Sequence, residues 1–264
     1  MKHSIKTIVN LGLMMFLQYM LFAVWWVPLA AYLVNLNMTG LQKSLILSSM
    51  AIGSMASPFI GMLADKKYAS QNVLAALNFI TTLFLLLAAN ITHPVFLLAV
   101  IIITMLSYMP TWSLTSAIAM AHTSAEQFPR IRVFGSIGWV VSGIFSVIAI
   151  RQFGVEIFDG SKLPFYCGAG ISLCAALTNL FLPHTPPTAK NQNITLANKL
   201  GFGAFRMFRD KNFRVFMILS FFSILPFSLY HVFGSEFLQS QEFRYITFTM
   251  NLGQVVEPIT IGLI

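Results

Sequence analysis

The chain has 264 residues, 57% hydrophobic and only 9% charged, where a soluble domain carries roughly 25% charged residues. Too few charges are present to solvate a globular surface, so a soluble protein is excluded and a polytopic membrane protein is expected. Sixteen Lys and Arg against eight Asp and Glu would suggest a nucleic-acid partner only if the basic residues clustered on one surface.

The N-terminal run "MKHSIKTIVNLGLMMFLQYMLFAVWWVPLAAYLV" has a basic start but an apolar stretch too long for a signal peptide, and no small-residue cleavage site follows it. It reads as the first of eight apolar segments long enough to cross a bilayer, about 20 residues each. They lie near 8–34, 42–64, 72–91, 94–120, 132–150, 163–183, 213–236 and 245–264. Cys167 and Cys174, on one face of the sixth segment, are expected as free buried thiols, not as a disulfide framework. One connection is long and polar, "PHTPPTAKNQNITLANKLGFGAFRMFRDKN". It divides the chain into a six-helix bundle, 1–184, a cytoplasmic linker, 185–211, and two further helices, 212–264. The linker's basic end either lies as an amphipathic helix on an anionic leaflet or serves as a plain juxtamembrane anchor.

Charge placement sets the orientation. With the N-terminus inside, the inner connections hold Lys2, Lys6, Lys66, Lys67, Arg130, Arg132, Lys190, Lys199, Arg206, Arg209, Lys211 and Arg214. The outer ones hold Lys43, Arg151, Lys162 and Arg244. That asymmetry is the positive-inside bias. It makes the basic excess topological, and nucleic acid is not an expected partner.

Several segments carry polar groups at membrane depth. In the eighth, Thr247, Asn251, Gln254 and Glu257 are spaced four, three and three, which makes one polar stripe on a helix. A charge in the bilayer is tolerated when it faces protein or a water-filled cavity, so the stripe is expected to face a cavity where Glu257 can carry a proton. The alternative is a structural glutamate bonded to a neighbouring helix. Pro258 lacks an amide proton and favours a kink there. In the fifth segment Arg132, Ser136, Trp139 and Gly143 share a face, beside a small-residue face of Gly135, Gly138 and Ser142 suited to close packing. Arg132 either snorkels to the inner leaflet or points inward as a fixed donor and partner for Glu257. The seventh segment offers Ser223, Ser228, Tyr230 and His231 around Pro226; His231 is either a substrate or proton ligand or a satisfied structural histidine. Gln18, Tyr19, Trp25 and Trp26 in the first segment, and Tyr108, Trp112, Ser113 and Ser116 around Pro110 in the fourth, complete a set of polar, interrupted helices of the kind transporters use. An intramembrane enzyme needs a catalytic set, and HExxH, GxSxG and paired intramembrane aspartates are all missing from the sequence, whose five histidines are scattered. A sensor would be expected to carry a soluble output domain. Transport is therefore favoured over an enzyme or a sensor, with no metal or cofactor expected.

The loop "GMLADKKYASQ" after the second segment looks like the major facilitator signature: Gly61, then Asp65 four residues on, then Lys66 and Lys67. With "LQYMLFAVWWVPLAAYL", "SYMPTWSL", "FPRIRVFGSIGW", "LPHTP", "VFGSEFL" and "GQVVEP", the chain resembles the nucleoside/proton symporter family of the major facilitator superfamily over nearly its whole length. The resemblance implies an all-α integral membrane protein with twelve helices in two six-helix halves, of which this chain holds the N-terminal half and the first two helices of the other. A truncated record is the expectation, with four more helices beyond Ile264. It further implies a monomeric secondary active transporter of the bacterial inner membrane, multi-pass, with a cytoplasmic N-terminus, that imports nucleosides with protons by alternating access. The family's binding residues fall on Arg132, Ser136, Trp139, Gln254 and Glu257, with Glu257 in proton coupling, and the loop residues Gly61, Asp65 and Lys66 gate the conformational cycle. At two binding positions of the seventh helix, where the family pattern has glutamine and asparagine, this chain has Ser228 and His231. Those departures keep a sugar or another small polar solute open beside a nucleoside.

Overall fold

In hydrocarbon every backbone polar group must be bonded within its own segment, so apolar stretches of this length fold as helices. The computed structural model describes residues 5–187 and 202–262. Its helices are α1 (Ile5–Trp26), α2 (Leu29–Asn35), α3 (Gly40–Leu47), α4 (Ser49–Ser54), α5 (Ser57–Lys66), α6 (Ser70–Ala88), α7 (Pro94–Ala121), α8 (Phe128–Ser142), α9 (Ile144–Gln152), α10 (Leu163–Asn179), α11 (Lys211–Ser240), α12 (Ile246–Leu252) and α13 (Val256–Gly262). Six runs among the described residues are long and apolar enough to cross a membrane: Ile5–Asn35, Gly40–Lys66, Ser70–Ala88, Pro94–Ala121, Phe128–Gln152 and Lys211–Ser240. The sixth expected segment forms a shorter apolar helix ending at Asn179, before 183. The eighth is broken into α12 and α13 by a 3-10 turn, Gly253–Val255. Pro258 cannot donate to the carbonyl of Gln254 four residues earlier, and the ladder tightens at that level.

Local sequence explains several ends. Thr39 and Gln42 form a reciprocal capping box at the start of α3. Asp210 caps α11, accepting from the amides of Asn212 at 2.6 Å and Phe213 at 3.1 Å. The first span is interrupted between Trp26 and Leu29, at Pro28.

Within the bundle α1–α10, α1 packs against α8 and α10, and α6 lies against α7 and α10. The small-residue face of α8 makes the first of these contacts close. A Cβ on Gly138 would collide with the Phe16 carbonyl of α1, and one on Gly135 would lie 2.8 Å from the Tyr19 ring. The core is aromatic, with Phe22 stacked on Tyr108 at 5.3 Å and Trp25 tilted against Phe165 at 5.9 Å. It also holds a polar knot: Gln18 donates to Thr111 at 2.5 Å and accepts from Asn78 at 3.1 Å, while the Tyr108 hydroxyl donates to the Gln18 carbonyl at 2.6 Å. These buried bonds tie α1, α6 and α7 in one register.

The C-terminal elements α11–α13 lean on this bundle: α11 on α2, and α12 and α13 on α8. Along α11 only His231 and Ser235 are buried; Phe216, Phe221 and Phe222 are exposed, as suits a lipid-facing surface. One expectation needs correction. Cys167 and Cys174 are free but not buried, being half-buried and exposed respectively, because the helical face that carries them looks outward. Of the expected linker 185–211, residues 188–201 lie outside the described residues. Phe202–Arg209 is a 3-10 helix, with Phe208 edge-on to Phe213 of α11 at 5.3 Å.

Candidate functional site

A cavity of about 650 Å³ opens between the bundle and α11–α13, within the roughly 300–1,000 Å³ range of small-molecule sites. Its walls are mostly aromatic and aliphatic: Tyr19, Phe22 and Trp26 from α1, Trp112 from α7, Trp139 from α8 and Phe227 from α11. Leu47, Met50, Ala51 and Ser54 of the second span close another side. All seven binding residues expected from the sequence (Arg132, Ser136, Trp139, Ser228, His231, Gln254 and Glu257) line this one cavity.

Its electrostatic centre is Arg132. One guanidinium nitrogen, Nη2, donates to Glu257 Oε1 at 3.2 Å and the other, Nη1, to Ser136 Oγ at 3.2 Å. The guanidinium carbon lies 4.1 Å from the centre of the Tyr19 ring, a cation–π contact. Of the two readings open for Arg132, the inward one is adopted, because the α1–α8 packing at Gly135 and Gly138 turns this face toward the cavity. The side chains of Arg132 and Glu257 are 24% and 38% exposed, and an ion pair so open contributes at most about 1 kcal/mol. A ligand bearing its own polar groups can therefore replace either partner at small cost.

Trp139 and His231 meet edge to face on the cavity wall at 5.7 Å. His231 Nδ1 lies 3.0 Å from the Phe227 carbonyl. A carbonyl only accepts, so Nδ1 carries the proton and the neutral ring keeps Nε2 as its acceptor. Ser228, three residues before His231 on α11, is exposed. Ser113 and Ser116, by contrast, donate to carbonyls of their own helix and do not line the cavity.

The polar stripe of the eighth segment divides. Gln254 and Glu257 line the cavity, whereas Thr247 and Asn251 are buried against the bundle; the expectation that the whole stripe faces a cavity is corrected here. Positions six apart on a regular α-helix lie about 120° apart, and three residues of 3-10 helix, at three per turn, reduce that to about 60°. The turn at Gly253–Val255 thus lets Asn251 and Glu257 both address α8, at Trp139 and Arg132.

At the end away from Lys66 the two parts are tied together. Lys43 pairs with Glu236. Asn35 accepts from Gln239 at 2.9 Å and donates to the Gly160 carbonyl at 3.0 Å. Asp159 accepts from the Thr247 amide at 3.2 Å and from its hydroxyl. Burial pushes the Asp159 carboxyl up to about 6, against the opposing hydrogen bonds from Thr247 and the Ile246 amide. These bonds, with those of Asn251 to α8, run from this end to the Arg132–Glu257 level. Sequence reasoning did not find Asp159, which has no local motif. Lys43 and Glu236 left a signal, as opposite charges flanking the same end of two segments. Gly61, Asp65 and Lys66 lie in α5, the last in its final turn, outside the cavity wall. Among the described residues no cluster of His, Cys, Asp and Glu could hold a metal.

Comparison with known proteins accounts for this architecture. The family described as Nucleoside H+ symporter matches residues 5–264. The putative nucleoside transporter YegT of Escherichia coli is 32% identical over 96% of this chain and 60% of its own length. The xanthosine permease of the same organism is 30% identical over 87% of this chain and 55% of its own length. A crystal structure of a mutant nucleoside transporter NupG superposes with a TM-score of 0.82 at 27% identity, over 96% of this chain and 66% of that one. A peptide transporter, at 14% identity and a TM-score of 0.52, shares the fold alone. The chain thus spans somewhat over half the length of the curated relatives it matches, with the all-helical fold of a major facilitator, and it belongs to the nucleoside H+ symporter family.

Proposed function

We propose that the full protein carries nucleosides together with protons across the bacterial inner membrane by alternating access. Support comes above all from the Arg132–Glu257 pair: it joins the two parts of the molecule inside an aromatic-walled cavity, where a cation and a carboxylate can each exchange their partner for a ligand or a proton. In this reading Arg132 and Ser136 hold the polar edge of the solute and Trp139 stacks on its base. Ser228, His231 and Gln254 reach its remaining donors and acceptors, and Glu257 takes up the proton. In this reading the positive-inside bias of the sequence puts the end that bears Lys66 on the cytoplasmic side, with the N-terminus inside. The tied end is then periplasmic, and the arrangement is the inward-facing one. Gly61, Asp65 and Lys66 would lock helix contacts in one state of the cycle. Rocking of two units about a midplane site is the common carrier scheme.

The test is uptake by the full-length protein in cells or proteoliposomes. Glu257→Gln is expected to abolish accumulation driven by a pH gradient while leaving nucleoside exchange measurable; undiminished pH-driven accumulation removes Glu257 from coupling. Arg132→Ala is expected to reduce uridine and adenosine uptake at least tenfold, and uptake at wild-type rates would overturn the site.

A further inference from the structure

Asn251 spends its side chain on two residues of one neighbouring helix. It is 1% exposed. Its Oδ1 accepts from the indole Nε1 of Trp139 at 3.0 Å. Its Nδ2 donates to the Trp139 carbonyl at 3.0 Å and to Ser142 Oγ at 2.8 Å. The Ser142 hydroxyl in turn donates to the same carbonyl at 2.7 Å. The amide can sit only one way round, since an indole N–H only donates and a carbonyl only accepts.

The consequence for Trp139 is specific. An indole on a cavity wall usually offers both a flat face and one donor. Here the donor is committed to Asn251, so the ring presents only its apolar surface to the cavity, edge-on to His231 at 5.7 Å. The bond also joins the bundle to α12. The ring is therefore held from across the interface that must part when the tied end opens. We propose that Asn251 is a positioning residue: it holds the Trp139 indole as a stacking platform while α12 rests on α8, and it releases the ring when the two separate. The affinity of the site is thereby tied to the conformational state by one side chain that does not touch the solute. This rests on the proposed nucleoside reading of the cavity.

The test is a double-mutant cycle on equilibrium binding of uridine and adenosine to the full-length protein, with thermal unfolding measured in parallel. Asn251→Ala is expected to weaken binding about fivefold to tenfold, the scale of one aromatic contact. In a Trp139→Phe background, where no indole N–H exists to be held, the same change is expected to weaken binding less than twofold. A merely structural Asn251 gives a different pattern, because its bonds to Ser142 and to the backbone carbonyl survive in Trp139→Phe. Equal losses in both backgrounds, or none in either, overturn the proposal. Ser142→Ala removes one of the three Asn251 bonds but leaves the indole held; affinity within twofold of wild type is expected, and a loss equal to that of Asn251→Ala overturns it as well. Asn251→Ser takes the place of the alanine variant if that one fails to reach the membrane, with the same expectations. A wild-type protein that binds neither nucleoside overturns the nucleoside reading and this inference together, whereas wild-type binding with additive losses overturns the inference alone.

Discussion

Asp159 makes the tied end sensitive to acid. Its carboxylate, 2% exposed, lies in the loop between α9 and α10 and accepts both hydrogen bonds from Thr247 at the start of α12. Burial lifts it from an ordinary 3.8 to about 6. A carboxyl held higher in the closed arrangement than in water binds its proton more tightly when closed. The protonated form therefore favours closure. That contribution is fully present below about pH 4 and is lost as pH rises through about 6. Two units correspond to about 3 kcal/mol between the limits, or roughly a hundredfold in the closed-to-open ratio. The measurement is the distance between spin labels on the loops at 153–157 and 241–245, in the full-length protein at pH 4.5 and pH 8. Wild type is expected to close at this end on acidification. Asp159→Asn, which mimics the neutral acid, is expected to stay closed at both values. Taking the difference between the two proteins cancels the response of every other titrating group. An Asp159→Asn variant that keeps the wild-type pH response, or a wild type that opens on acidification, refutes the reasoning.

Three further outcomes follow from the same geometry. Breaking the Lys43–Glu236 pair with Lys43→Ala removes a partly exposed bridge worth up to about 1 kcal/mol; the labelled loops should shift about fivefold toward open, and the exchange Lys43→Glu with Glu236→Lys should restore closure. Gly138→Ala drives a methyl into the Phe16 carbonyl and should destabilise the α1–α8 contact by about 1–3 kcal/mol, read as a lowered thermal transition. Gly61→Ala, inside α5 and with nothing within 4 Å of the new carbon, should raise that transition slightly, by up to about 1 kcal/mol.

Much of the helical framework was legible because hydrocarbon leaves the backbone no alternative. Apolar run length placed the spans to within a few residues, and Pro258, which lacks an amide proton, marked the level of a break. For the fifth segment the sequence marked a close-packing face at Gly135 and Gly138 beside Arg132 and Trp139 but left Arg132 open between snorkelling and pointing inward; the packing on α1 decided that. The stripe of the eighth segment was read as one surface with one purpose. Its period was right, but a period does not say what stands opposite.

By itself the sequence determined where the apolar runs lie, roughly where most of them end, and which side chains share a face; these follow from local bonding and spacing. The tertiary structure alone decided what each face meets. It set Thr247 against Asp159, Asn251 against Trp139, and Glu257 against Arg132. Those partners lie 88, 112 and 125 residues apart, and no local rule relates them. They meet because α8 is seated on α1 by its glycines and α12 and α13 are turned toward α8 by a 3-10 break. The polar stripe that looked like the lining of a cavity is thereby split into two rungs packed against the bundle and two that line the cavity.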